Sequence, residues 1–419
     1  MIYSLKKKYL IFFLYLVFLS AFLINEDSLG GAKKDFIYLY DHTLEFKNDF
    51  LHTFFNYDKT GARHSPIFLI INSFLLKIVK EQFNLRLLLF HLNIITIYFF
   101  YKTLEIKFRN TDKKLLILLS SLLIISPSFR SSSVWPDSYN AGILFFSISL
   151  FNYYKYKENL QTKYFFNCTI FYAVASYFSP NFAIFSIFFY LNFLFLNKNN
   201  KEKVLFFILN WLIAFPAIYY LFILKINFLQ LGEQIYGYEE NFLSVKNLSN
   251  KIILLPTIII IHLLPIILFK KKTPNFLLRD IIYLAFYYIF MKVFLEDSFH
   301  YSDIYKFIGG GGIIYNLYLY NIINFNAIII ISSISFLLIQ KLILNKFNYL
   351  IIILIIFSIP QLSIYHQYFE PLIYFFIFFE FIKNNEFKIN YRNICMFFLY
   401  LVLFLTLNIF KNPIKNFIL

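Results

Sequence analysis

Long runs of residues that are apolar on every face are the feature that most constrains this chain. Two examples are "KIILLPTIIIIHLLPIILF" (251–269) and "FNAIIIISSISFLLI" (325–339). A helix on the surface of a soluble protein keeps a polar face, whereas a helix without one suits lipid or deep burial. Only 15% of the 419 residues are charged, where a soluble domain has about 25%. The sequence therefore predicts an all-α polytopic membrane protein.

The net charge of +16 does not indicate a nucleic-acid partner. The basic residues are scattered between apolar runs, whereas a nucleic-acid-binding protein clusters them on one soluble face. Cys168 and Cys395 lie far apart in apolar segments, so the cysteines provide neither a disulfide framework nor a metal cluster. We expect membrane lipid to surround most of the chain.

The distribution of Lys and Arg predicts the topology. Fourteen apolar runs occur, at 9–24, 65–80, 85–101, 115–127, 138–154, 164–178, 181–197, 204–224, 251–269, 280–295, 322–340, 349–365, 372–384 and 393–410. If 65–80 is an amphipathic or re-entrant helix on the outer face, seven short loops on one side hold 23 of the 39 Lys and Arg. By the positive-inside rule that side is cytoplasmic. The result is about 13 transmembrane helices, with the N-terminus inside and the C-terminus outside.

These spans predict a single transmembrane domain over 1–419, without a soluble C-terminal domain. Residues 25–84 form its first outer loop with interfacial helices, and 85–410 hold helices 2–13. The long connections all fall on the outer face, and long loops in compact proteins are usually functional. We therefore expect the chemistry on the outer side.

Two carboxylates on the outer side are candidates for a functional site. Asp35 begins a helical stretch in the first outer loop, where an acidic residue also serves a helix N-terminus. Asp137 lies in "SSVWPDSYNAG" (132–142), a polar interruption between two apolar runs. We predict that both face the same outer cavity.

The order of motifs over residues 1–155 resembles a known family. An acidic residue follows helix 1, "HSPIF" (64–68) opens a short apolar helix, Arg86 opens helix 2, and Pro136-Asp137 precedes helix 4. This pattern is similar to the GT-C-fold glycosyltransferases that use polyprenyl-phosphate sugars. They include the dolichyl-phosphate-mannose protein mannosyltransferases and the bacterial lipid A aminoarabinose transferases.

The resemblance implies a GT-C-like helix bundle in the bacterial plasma (inner) membrane, with its active site on the outer face. The implied activity moves a sugar from a polyprenyl-phosphate donor to an acceptor, and a lipid or glycan acceptor is easier to accommodate than a folded protein. The matched carboxylates would then be Asp35, as the general base, and Asp137, which positions the acceptor, orients the residues around Asp35 or binds a divalent metal ion. A divalent metal ion is the one cofactor left open.

Developing charge on the donor phosphate requires cations. The best candidates in the matched region are Arg63, His64 and Arg130. Weaker substrate contacts are expected from two later outer segments, 295–312 and 366–371, at His300, Asp303, Lys306, His366 and Glu370.

Two other classes stay open. A polysaccharide polymerase or ligase acting on lipid-linked repeats would use outer-face arginines, of which the chain has Arg63, Arg86 and Arg130. A transporter or flippase of lipid-linked glycans would carry ionisable residues deep in several spans. The deep candidates in the sequence are His91 and His262.

Overall fold

The computed structural model describes residues 6–28, 31–60, 65–196, 199–223, 245–268, 277–299, 311–342, 346–358, 364, 366–377, 380 and 391–409. These residues form helices and connections without a strand, which confirms the all-α class. The chain divides into two compact units, Met1–Phe228 with Leu407–Leu419, and Leu229–Thr406. Each unit is described by itself below, and one transmembrane domain over 1–419 stays a prediction.

The described part of the first unit contains eleven α-helices. They are α1 (Lys7–Leu23), α2 (Ala32–Asn48), α3 (Phe50–Phe55), α4 (Ile67–Val79), α5 (Gln82–Lys107), α6 (Lys113–Ile125), α7 (Pro127–Val134), α8 (Ser138–Asn159), α9 (Thr162–Phe178), α10 (Ser186–Leu196) and α11 (Asn200–Ile218). Short 3₁₀ turns occupy Tyr57–Thr60 and Pro180–Phe185, and a π-helical turn, Tyr219–Ile223, follows α11.

The described part of the second unit contains seven α-helices. They are α12 (Val245–Leu268), α13 (Leu278–Phe290), α14 (Gly312–Leu319), α15 (Phe325–Leu342), α16 (Tyr349–Phe357), α17 (His366–Leu372) and α18 (Tyr391–Ile409). π-Helical turns follow α13, at Met291–Leu295, and α17, at Ile373–Ile377, and a 3₁₀ turn, Lys346–Asn348, precedes α16.

Three of the described helices are long and apolar enough to cross a membrane: α5, α15, and α11 with its π-helical turn. The pair α6 and α7 makes a fourth if the bent pair counts as one span. Side chains of α11 such as Trp211 and Phe215 are 63% and 70% exposed. Such an apolar surface suits lipid, because its transfer from water to an apolar environment is favourable. The count of 13 helices and their orientation stay predictions.

The break between α6 and α7 lies at the centre of the first unit. Proline has no backbone N–H and its ring interrupts a helix, and Pro127 stands at this position. Ser126 caps the new helix, because its Oγ accepts from the backbone N–H of Phe129 at 3.2 Å. The chain turns by 65° here. Every residue of α7 is buried, so the turn lies inside the unit.

Helix α4 occupies the run 65–80 and has 13 residues. A span needs about 20, so its length fits the prediction that this run does not cross. It packs on α2, and their contact forms part of an apolar cluster. The buried members of the cluster are Phe46, Tyr57, Phe68, Leu69 and Phe178.

Contacts within each unit join connections that the charge pattern assigned to one side. Thr162 donates to Glu202 at 2.9 Å, which joins the loops before α9 and α11. In the second unit, Lys341 Nζ lies 2.6 Å from Asp280 Oδ2, which joins the ends of α15 and α13. These contacts bring two pairs of same-side loops together, while the alternation of the loops and the side that faces the cytoplasm stay predictions.

Candidate active site

Asp137 lies in the turn between α7 and α8. It is the N-cap of α8, because its Oδ1 accepts from the backbone N–H of Asn140 at 2.6 Å. Ser132 Oγ lies 3.5 Å from the other carboxylate oxygen. The side chain is half-buried. The sequence produces this turn locally, because Asp is a preferred N-cap residue and Pro136 disfavours helical backbone at Trp135.

Asp35 lies in the first turn of α2 and is exposed. The helix begins there because Asp27 accepts from the backbone N–H groups of Gly31 and Ala32, at 3.2 and 3.0 Å. The next residue, Phe36, is buried and packs against Trp135, with 6.0 Å between ring centroids. This contact brings the start of α2 beside the turn that carries Asp137.

The two carboxylates interact electrostatically. Burial raises the pKa of Asp137 to about 7; the backbone N–H of Asn140 lowers it, and the negative charge of Asp35 raises it. Although the side chain of Asp35 is exposed at the surface, the protein atoms around it reduce its hydration and raise its pKa to about 6, with a further rise from Asp27 and a fall from Lys34. The charge of Asp35 thus acts on Asp137, and the Phe36–Trp135 contact sets their two segments side by side. That both carboxylates face one outer cavity stays a prediction.

Carboxylates with pKa values near neutrality suit proton transfer at physiological pH, because they exchange protons without a large driving force in either direction. Asp35 is exposed, so an acceptor molecule can reach its carboxylate, whereas the carboxylate of Asp137 is engaged as the N-cap of α8. The geometry thus favours Asp35 as the group that takes a proton and Asp137 as the group that orients a hydroxyl.

Arg130 differs from the prediction that it contacts the donor phosphate. Its side chain is fully buried. Nε and Nη2 lie 2.8 and 2.6 Å from Glu26 Oε2, Nη1 donates to the carbonyl oxygens of Val17 and Ile124, and Nη2 reaches Ser20 Oγ. All five N–H donors of a guanidinium are satisfied by this set. Arg130 therefore holds the bent helix to α1 and offers no donor to a ligand.

Glu370 also differs from its predicted role as a substrate contact at an outer loop. It is fully buried in the second unit, and its Oε1 lies 3.4 Å from His262 Nε2. His262 Nδ1 lies 2.7 Å from the carbonyl oxygen of Ile258, so this nitrogen carries a proton. The two residues are 108 positions apart in the sequence, and no spacing rule connects them.

Five of the predicted contacts are not placed by the structure. Arg63, His64, His300, Asp303 and Lys306 lie outside the described residues, and so does the side chain of His366. Their roles stay predictions.

A divalent ion was left open as a cofactor. No group of three or more His, Cys, Asp and Glu side chains that could hold a metal occurs in the part of the chain that the structure describes. Mg²⁺ in phosphate-transferring sites often takes only one or two carboxylates, with phosphate and water as its other ligands. Asp35 and Asp137 fit that smaller set, and such an ion would offset their mutual repulsion.

Comparison with known protein families, with curated proteins and with solved structures gives no match.

Proposed function

We propose that this protein is an integral membrane glycosyltransferase that uses a polyprenyl-phosphate sugar donor and acts at the outer face of the bacterial plasma membrane. One observation carries the proposal. Asp35 and Asp137 come from separate segments of the chain, and the contact between the neighbouring residues Phe36 and Trp135 supports the proposal that the two carboxylates share one site. The resemblance of residues 1–155 to the GT-C glycosyltransferases supplies the reaction class.

In the proposed reaction, Asp35 removes the proton from an acceptor hydroxyl while that oxygen attacks C1 of the donor sugar. The bond between C1 and the phosphate oxygen breaks, and its electron pair leaves on the polyprenyl phosphate. A single displacement of this kind inverts the anomeric centre and needs one base, without a covalent enzyme intermediate. Asp137 orients the acceptor hydroxyl.

The leaving phosphate requires positive charge nearby. Lys33 and Lys34 are exposed in the first turn of α2, and the charge of Lys34 already acts on Asp35. With Arg130 engaged by Glu26, these lysines replace it as the proposed contacts of the donor phosphate. Arg63 and His64 stay proposed contacts.

The polymerase or ligase alternative loses support. Of the three outer-face arginines, Arg86 is buried and donates to Val134 O and Asn25 Oδ1, and Arg130 is paired with Glu26. Neither is available to a lipid-linked repeat.

A transporter or flippase of lipid-linked glycans is the second candidate, and the buried His262–Glu370 pair favours it. Ionisable groups inside a membrane protein are costly and tend to be functional. A flippase would move the lipid-linked sugar across the bilayer unchanged. Glu370→Gln would then stop its movement, whereas Asp35→Asn would not.

The test of the leading proposal is sugar transfer by purified protein in lipid nanodiscs, with synthetic polyprenyl-phosphate sugars and a lipid-linked or free glycan acceptor. Wild-type protein should release polyprenyl phosphate, and Asp35→Asn and Asp137→Asn should each lose the activity. Asp112→Asn is the matched control, because Asp112 caps α6 through the N–H of Lys114 and is exposed. Full activity in both site variants would overturn the assignment of the site.

A further inference from the structure

The indole ring of Trp135 lies between a buried arginine and the first turn of α2. The Arg86 Cζ atom is 3.5 Å from the centroid of the ring, which is a close cation–π contact. From α2, Lys33 Nζ lies 5.4 Å from the ring and the Phe36 ring lies 6.0 Å from it. Trp135 and Arg86 are both less than 9% exposed, so water weakens their interaction little.

Hydrogen bonds fix both members of this contact. Arg86 Nε donates to the carbonyl oxygen of Val134 at 2.9 Å, and Nη2 donates to Asn25 Oδ1 at 3.0 Å. Trp135 Nε1 donates to the carbonyl oxygen of Glu26 at 3.1 Å. The segment that leaves α1, the start of α5 and the end of α7 are therefore tied together at one ring.

The position of the ring bears directly on both carboxylates. Trp135 is followed by Pro136, whose fixed φ angle limits the freedom of the backbone before Asp137. On the other side, Phe36 is the neighbour of Asp35 in α2. A displacement of the ring would thus move the two carboxylates relative to each other.

We propose that Trp135, clamped by Arg86, is the positioning residue that fixes the turn carrying Asp137 against the start of α2, which carries Asp35. The predicted effect of the clamp on catalysis rests on the proposed function. Its predicted effect on the positions of the two carboxylates does not. Neither residue touches substrate in this proposal, and the clamp acts through Asp137.

Two readouts in purified protein test the clamp: the steady-state kinetics of transfer, and the pH dependence of thermal stability. Trp135→Leu removes the π face. Its kcat should fall by roughly 100-fold, the loss that a misplacement of about 1 Å can cause. Because Lys33, a proposed donor contact, lies 5.4 Å from the same ring, KM for the donor should change as well, but by less than kcat. Its melting temperature should also depend somewhat less on pH between 5 and 8, by the part of the raised Asp137 pKa that the charge of Asp35 supplies, while the larger part that comes from burial remains.

Trp135→Phe keeps an aromatic face for Arg86 and should recover most of the rate. Tyr98→Leu is the matched control, because Tyr98 is exposed on the same helix as Arg86 and lies near another cation, Lys102. If Trp135→Leu does not fold, Arg86→Lys gives the same two readouts, since it keeps the charge and loses the paired hydrogen bonds.

The outcomes separate the clamp from the proposed function. If no transfer occurs in wild-type protein but the pH dependence of stability weakens in the clamp variant alone, the clamp stands and the glycosyltransferase proposal fails. If the kinetics and the pH dependence are both unchanged in Trp135→Leu or Arg86→Lys, the positioning role is overturned.

Discussion

At the scale of single residues, Asp137 combines two roles that a substitution can separate. Its carboxylate caps α8 through the backbone N–H of Asn140, and burial and the negative charge of Asp35 raise the pKa of the same carboxylate. Asparagine is as good an N-cap as aspartate. Asp137→Asn therefore keeps the cap and removes the charge.

The raised pKa of Asp137 gives a stability prediction. A carboxylate whose pKa is higher in the folded state binds its proton more tightly there, so protonation stabilises the fold. This stabilisation is lost as the pH rises towards and through the folded-state pKa of about 7. Wild-type protein should melt at a higher temperature at pH 5 than at pH 8. Asp137→Asn should flatten this slope and melt no lower than wild type at pH 8.

Scanning fluorimetry across this pH range measures the slope, with Asp112→Asn as the control that should keep it. A change of 1 kcal/mol moves the melting temperature by roughly 2–4 °C in proteins of a few hundred residues. A slope in Asp137→Asn that falls as steeply with pH as in wild type, or more steeply, would contradict the raised pKa of Asp137. Asp35 should contribute less to the slope, because it is exposed to solvent.

Asp27 gives a second prediction at this scale, because its charge raises the pKa of Asp35. If Asp35 is the base, the transfer rate should rise with pH through about 6 as Asp35 ionises. Asp27→Asn preserves the oxygen that caps α2 and removes the charge, so the rise should move to lower pH. A pH–rate profile measures this, and a shift to higher pH would contradict the assignment of the base.

At the scale of helices, one buried ion pair ties the bent helix pair α6 and α7 to α1. Arg130 and Glu26 hold α7 to the end of α1, and both are buried. Removal of one partner from a buried pair leaves an uncompensated charge, which typically costs about 3–5 kcal/mol. Replacement of both by apolar residues of similar size is often neutral.

We therefore expect Glu26→Gln to lower the melting temperature strongly, and Glu26→Leu combined with Arg130→Met to recover much of the loss. Scanning fluorimetry of the single and double variants measures both effects. If the double variant is less stable than Glu26→Gln, the pair is not the element that holds the bend.

Local features of these helices could be predicted from the sequence. The start of α8 follows from Pro136-Asp137. The short length of α4 follows from the short apolar run, 65–80, that the helix occupies. Pairings at long separation could not. Arg130 meets Glu26 across 104 positions, and in a sequence a buried arginine and a phosphate-binding arginine look alike. The contact of Arg86 with Trp135 could not be predicted for the same reason, although the sequence motifs contain both residues.

At the scale of the whole molecule, the predicted topology depends on where the basic loops lie. The loops 102–114 and 155–163 meet in the first unit through an ion pair between Arg109 and Glu158. Reporters fused at residues 108 and 160 should therefore give the same reading, and the positive-inside rule predicts that this reading is cytoplasmic. Discordant readings would contradict the fold, and two exterior readings would invert the topology and move Asp137 to the cytoplasmic side.

Sugar transfer by the double variant tests the central claim most directly. Residues that act as one catalytic unit have strongly non-additive effects. Initial rates would be measured for wild-type protein, Asp35→Asn, Asp137→Asn and the combined variant in the same nanodiscs. If the two carboxylates form one site, the combined variant should be no slower than the slower single variant. Rate losses that multiply, or full activity in both single variants, would contradict a single site.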